Sequence, residues 1–253
     1  MATRRIYLLC MVVLLSSCTT RPQVQPAPKL TVAAASNLTG VVNEAAQAFT
    51  QRTSIEVVFS FGNTAQLAQQ IENGAPFDVF AAADTEHVDT LVKSGKLTRG
   101  SRAIYALGQL ALWVPKGDQI NVHTLPDLAS PKVRFIAIAQ PELAPYGQAA
   151  VEALTASGLL DQVRPKFVYA NSISAAKQFA DSGNADAAFS AYSLVLHESG
   201  TVLKVDSRLH KPIEQALAVV SSSSLVPEAQ RFCSFLLGPE GRAIFAKNGY
   251  LPP

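Results

Sequence analysis

Cysteine is scarce in this chain, with three in 253 residues. Cys10 and Cys18 lie in the first stretch and only Cys233 lies in the body, so no internal disulfide can form there. Charge is thin too, at 16% of residues, and the net value of +2 equals the contribution of Arg4 and Arg5. The rest of the chain is electrically balanced. That balance excludes the basic stripe of a nucleic-acid binder, and it makes any anion recognition a local affair. Long apolar runs are missing: residues 6–15 form the longest near the start, too short to span a bilayer. No stop-transfer segment follows. There is no G-x-S-x-G elbow, no P-loop and no zinc motif. The four histidines, His87, His123, His197 and His210, are scattered without ligand spacing. Nothing in these lacks supports an enzyme, and no cofactor is expected.

What is present begins with a targeting signature. Arg4 and Arg5 precede the apolar run, and Leu15-Ser16-Ser17-Cys18 resembles the bacterial lipobox. This implies a signal peptide over 1–17 and lipidation at Cys18. Residues 18–28, rich in Pro, Gln and Thr, read as a flexible tether. The expected location is the periplasm or cell envelope, with the membrane held through the lipid. Cys233 falls among Phe232 and Phe235 in a helical pattern and reads as a small buried hydrophobe.

The body alternates apolar strands with helical patterns, which predicts an α/β fold. Strands are expected over 29–35, 55–61, 77–83, 103–115, 133–139, 163–170, 187–191 and 212–222. Helices are expected after most of them and over 227–249. Two sets of βα units joined by two long strands predict two lobes with a double-crossing hinge and mixed, mostly parallel sheets. Lobe 1 is expected over 29–109 and 216–253, lobe 2 over 110–215, with a ligand between them at the carboxyl ends of the strands.

Four strand-to-helix junctions carry the chemistry. They are Ala35-Ser36-Asn37, Gly62-Asn63-Thr64, Ala144-Pro145-Tyr146 and Asn171-Ser172-Ile173. Helix starts expose N–H groups and partial positive charge, a ready anion site. None of the four has Lys, Arg, Asp or Glu in its first residues. Neutral donors without an acceptor suit a fully deprotonated dianion. The junction Ala83-Asp84-Thr85-Glu86 differs, because its carboxylates would repel one. Asp78 and Asp84 read as structural.

The residues Val32–Ser36, the stretch SFGNTAQLAQQIENGAPFDVF over 60–80, residues 140–146 and the ending GPEGRAIF over 238–245 carry a family resemblance. The chain resembles the periplasmic molybdate-binding proteins of ABC transporters, with similarity over 30–251. The resemblance implies a two-lobed, type 2-like binding protein for molybdate or tungstate, a monomer serving an inner-membrane permease. Its ligands would be Ser36, Asn37, Thr64, Tyr146 and Ile173. Many members place a Tyr hydroxyl at the end of the late strand. Here Ala191 stands in that place and Tyr192 one residue on, on the opposite face, so Tyr192 reads as structural. Another oxyanion, sulfate or phosphate, is the alternative ligand, and an exported enzyme the alternative class.

Overall fold

The computed structural model describes residues 27–117 and 120–253. The expected signal segment and Cys18 lie outside the described residues, as does all of the tether but its last two residues. The chain runs through β1 (Lys29–Ala35), α1 (Thr39–Thr53), β2 (Glu56–Gly62), α2 (Thr64–Glu72), β3 (Val79–Ala81), α3 (Glu86–Lys93) and β4 (Ala103–Gly108). It continues with β5 (Leu110–Pro115), β6 (Ile136–Ala139), α4 (Pro145–Ala156), α5 (Leu160–Val163), β7 (Phe167–Ala170), α6 (Ile173–Asp181), β8 (Ala187–Ala191), α7 (Tyr192–Val195) and β9 (Gly200–Lys204). It returns through β10 (Ile213–Val219), α8 (Val226–Leu237) and α9 (Pro239–Lys247).

Two five-stranded sheets result, in the orders β2-β1-β3-β10-β4 and β7-β6-β8-β5-β9. Each builds a lobe. Both sheets are mixed. In each, the first three sequential βα strands pair in parallel, and the long crossing strand pairs antiparallel to its two neighbours. Parallel and antiparallel pairings are thus equal in number, where the sequence pattern suggests mostly parallel ones. The reason is that β10 and β5 enter their sheets from the hinge, against the run of the βα units.

The strands are apolar on both faces because both faces are covered. Val32, Ala34, Val79, Ala81, Leu217 and Val219 face one core. Their alternates Ala33, Phe80, Ala216 and Ala218 meet Leu67, Ile71, Val88 and Leu91 from α2 and α3. In the second sheet Leu110, Leu112, Ile136, Ile138 and Phe189 join the first core, while Ala111, Trp113, Ala137 and Ala188 pack with Ala176 and Ala180 of α6. The period-2 alternation thus sorts the inner strands between two apolar layers.

The expected strands 77–83 and 133–139 shorten to Val79–Ala81 and Ile136–Ala139, and three expected segments differ more. Residues 103–115 are two strands in different sheets, divided at Gln109. Residues 163–166 are helix and 3₁₀ turn, and the strand starts only at Phe167. Pro165 sits in the first part of the 3₁₀ turn, where its fixed φ fits and its missing N–H is not needed. Finally, β10 lies wholly in the first sheet from Ile213, so a boundary at 215/216 falls inside a strand. The return passage is 205–212.

Candidate anion site

The two sheets share one strand order, second-first-third of each βα set, and the four junctions follow the first and second strands of each. Ser36 and Asn37 follow β1 in a 3₁₀ turn, and Asn63-Thr64 follow β2. Pro145-Tyr146 open α4 beyond β6, and Ser172-Ile173 follow β7. Strands of opposite lobes therefore aim their carboxyl ends at one point.

The four junctions meet in one small pocket. It is lined by Ala35, Ser36, Asn37, Gly62, Asn63, Thr64, Ala83, Ala144, Pro145, Tyr146 and Ile173. All five sequence-predicted ligand residues are there. No Lys, Arg, His, Asp or Glu is. Close packing at the pocket wall needs Gly147, where a Cβ would overlap the Ala139 carbonyl.

The backbone donors can be accounted for one by one. At the start of α2, Ala65 N–H reaches Leu143 O at 3.4 Å, Gln66 N–H reaches Asn63 Oδ1 at 2.7 Å, and Leu67 N–H reaches Asn63 O at 3.1 Å. In α4, Pro145 has no N–H, and Gly147 and Gln148 both bond Ala144 O. In α6, Ser174 N–H reaches Ser36 Oγ at 3.5 Å, Ala175 N–H reaches Ser172 Oγ at 3.2 Å, and Ala176 N–H reaches Ser172 O. One N–H is left over at the start of each of these three helices: Thr64, Tyr146 and Ile173. No cap, loop or side-chain acceptor among the described residues takes any of them. The hydroxyls of Ser36 and Thr64 accept, from Ser174 N–H and from Ala83 N–H at 3.2 Å, but donate to no protein group among the described residues. These five donors, free of protein acceptors, belong to residues that line a pocket with no charged side chain in its lining.

Asn37 is different. It lines the pocket, but its amide turns away, with Nδ2 donating to Gln215 Oε1 at 2.9 Å and to Tyr250 Oη at 3.0 Å. Both side-chain amide protons are used there, while the Asn37 peptide N–H meets no acceptor among the described residues. Tyr192 does not line the pocket. Lys204 Nζ lies 4.2 Å from its ring centroid, and Gly249 leaves room for the ring's edge.

Asn63 is a site residue that the sequence reading passed over as part of a junction. Its Oδ1 caps α2, while its Nδ2 donates to Asn171 O of the other lobe at 2.9 Å. A capping asparagine was legible; its second bond, 108 residues away, was not. Gln215, Tyr105 and Tyr250, buried behind the pocket, were missed as well.

Burial holds the Tyr146 phenol well above its usual pKa, so it stays neutral. Asp84, just outside, is engaged by His87: Oδ1 accepts the His87 N–H at 3.0 Å and Oδ2 lies 2.8 Å from Nδ1. This pairing raises the His87 pKa. Cys233 is buried in α8, and desolvation pushes its thiol up to about 12, which removes it as a nucleophile.

Two mixed α/β lobes closing on a cage of neutral donors define a binding protein for a small anion. The chain belongs to the bacterial extracellular solute-binding protein family, whose model matches residues 30–251. It is 36% identical over 226 residues to the molybdate-binding protein ModA of Rhodobacter capsulatus, covering 89% of each chain. To the Azotobacter vinelandii protein of the same name it is 36% identical, covering 88% of this chain and 90% of the relative. The solved periplasmic molybdate-binding protein of Azotobacter vinelandii superposes with a TM-score of 0.85 at 34% identity, covering 88% of this chain and 99% of that one. The fold is thus that of the two-lobed periplasmic binding proteins. No helix among the described residues is long and apolar enough to cross a membrane.

Proposed function

We propose that this protein captures molybdate, or the nearly equal tungstate, between its lobes and delivers it to an ABC permease. One observation carries the reading: the pocket offers three peptide N–H groups and two hydroxyls, and no cation or carboxylate. Stripping water from a dianion is costly, and only a cage of fixed donors replaces that shell. A protonated phosphate would need an acceptor that the five donors do not supply. The naming of the 36% identical relatives as molybdate-binding supports the same ligand. Capture without turnover is part of this reading, and the naming of the relatives as binding proteins supports it.

Thermal melts test the ligand. Binding stabilises by RT ln(1 + [L]/Kd), about 4 kcal/mol at a thousandfold excess over Kd. A large upward shift is expected with molybdate and tungstate, and little with sulfate or phosphate at equal concentration. An equal shift with sulfate would leave a general oxyanion binder; no shift with any would end the reading.

The lipobox-like Leu15–Cys18 run supports attachment at Cys18, with the body outside the inner membrane beside its permease. Fractionation of cells is the measurement. Wild type is expected with membranes and Cys18→Ser in the soluble envelope fraction; equal partition of the two would rule the anchor out.

A further inference from the structure

Behind the pocket lies a buried polar cluster that supplies no donor to the ligand. Its centre is Gln215, fully buried in the middle of β10, where its neighbours Ala216, Leu217 and Ala218 are apolar. A buried amide is costly unless its groups are bonded. Here they are. Oε1 accepts from Asn37 Nδ2 at 2.9 Å and lies 2.9 Å from the Tyr105 hydroxyl, whose single proton is shared with Ala82 O at 2.8 Å. Nε2 donates to the Tyr146 hydroxyl at 2.8 Å.

These partners come from both lobes. Asn37 follows Ser36 at the end of β1, in the first lobe. Tyr146 is the second residue of α4, in the second lobe, and its own N–H is one of the five donors. The contact depends on the crossing between the sheets. A Cβ at Gly108, the last residue of β4, would overlap the Tyr146 hydroxyl and stand 2.6 Å from Gln215 Nε2. One side chain therefore grips a donor-bearing turn of each lobe, at the hinge.

We propose that Gln215 is a positioning residue that sets the spacing between the donors of the two lobes, and through it the size of oxygen tetrahedron that the pocket accepts. The proposal rests on the anion-binding reading and deepens it. Gln215 touches no ligand. It acts through Asn37 on the Ser36 turn and through the Tyr146 hydroxyl on the α4 start. With both held, the closed cleft has one spacing. With the link cut, the donors of one lobe shift relative to the other and settle onto a smaller anion as readily as onto a larger one.

The test is the ratio of the sulfate Kd to the molybdate Kd, by titration calorimetry on full-length protein. Tyr146→Phe removes one hydroxyl and keeps both ring and N–H. Gln215→Met keeps the volume and cuts the link from the other side, and Gly108→Ala displaces both partners. Each is expected to lower the ratio about tenfold, and Tyr146→Phe with Gln215→Met is expected to lower it no further than either alone. A merely structural role weakens both anions together and leaves the ratio in place. A ratio unchanged in folded Tyr146→Phe, or single effects that multiply in the double variant, would overturn the proposal. A wild type that binds neither anion would instead overturn the anion-binding reading, and this proposal with it.

Discussion

Ile173 serves the pocket through its peptide N–H and the core through its side chain, and substitution separates the two. It is the first residue of α6, after Ser172 in an extended conformation (φ −152°, ψ 166°). That is the conformation a residue before proline adopts, and proline is favoured at a first helical position. Ile173→Pro should therefore keep the helix and delete one donor. A hydrogen bond to a charged group contributes about 1.5–3 kcal/mol, so molybdate affinity should fall roughly tenfold to over a hundredfold. Ile173→Val should bind as wild type does. Calorimetry with circular dichroism as the fold control reads both; full affinity in a folded Pro variant would remove this N–H from the site. At this scale the sequence was informative wherever the chemistry is local. Ser36, Thr64, Tyr146 and Ile173 could be found because helix starts are visible in sequence. Asn37 could be found in the same way, but that its side-chain amide is held by Gln215 and Tyr250, 178 and 213 residues away, could not. No local pattern announces such partners.

Among the elements, β1 and β8 stand where the apolar alternation places them, over residues 29–35 and 187–191. Both are central enough to be apolar on each face. Edges and crossings were harder to read. β9 is a five-residue edge strand whose pairing to β5 depends on where the chain comes back from, so its sequence carries little signal. The run 103–115 looks continuous because both strands in it are apolar; only the close approach at Gly108 marks the passage between sheets. Residues Asp78 and Asp186 show what a structural carboxylate does here. Asp78 Oδ2 accepts the Thr31 N–H at 2.7 Å, and Asp186 Oδ2 accepts those of Arg134 and Phe135 at 2.6 and 2.9 Å. Each stands just before the third strand of its βα set and secures backbone of the first, within β1 or just before β6.

Across the whole molecule, few polar bonds join the lobes over the pocket. Among the described residues they are Ser193 Oγ to Asn37 O at 3.2 Å, and Asn63 Nδ2 to Asn171 O, Ala65 N–H to Leu143 O and Ser174 N–H to Ser36 Oγ, at 2.9, 3.4 and 3.5 Å. The last two are long. A ligand that bonds both lobes adds to a closure that these contacts hold weakly, so the closed fraction should rise on binding. Small-angle scattering should give a smaller radius of gyration with saturating molybdate than without; identical curves in a sample shown to bind would mean a rigid cleft. The donor set has a further consequence for how such a protein changes over generations. Three of its five donors are peptide groups, which every amino acid except proline carries. Codon 173 can drift among residues that suit the core and leave its donor in place, so inheritance of the specificity lies partly in the path of the chain and not only in the letters at its positions.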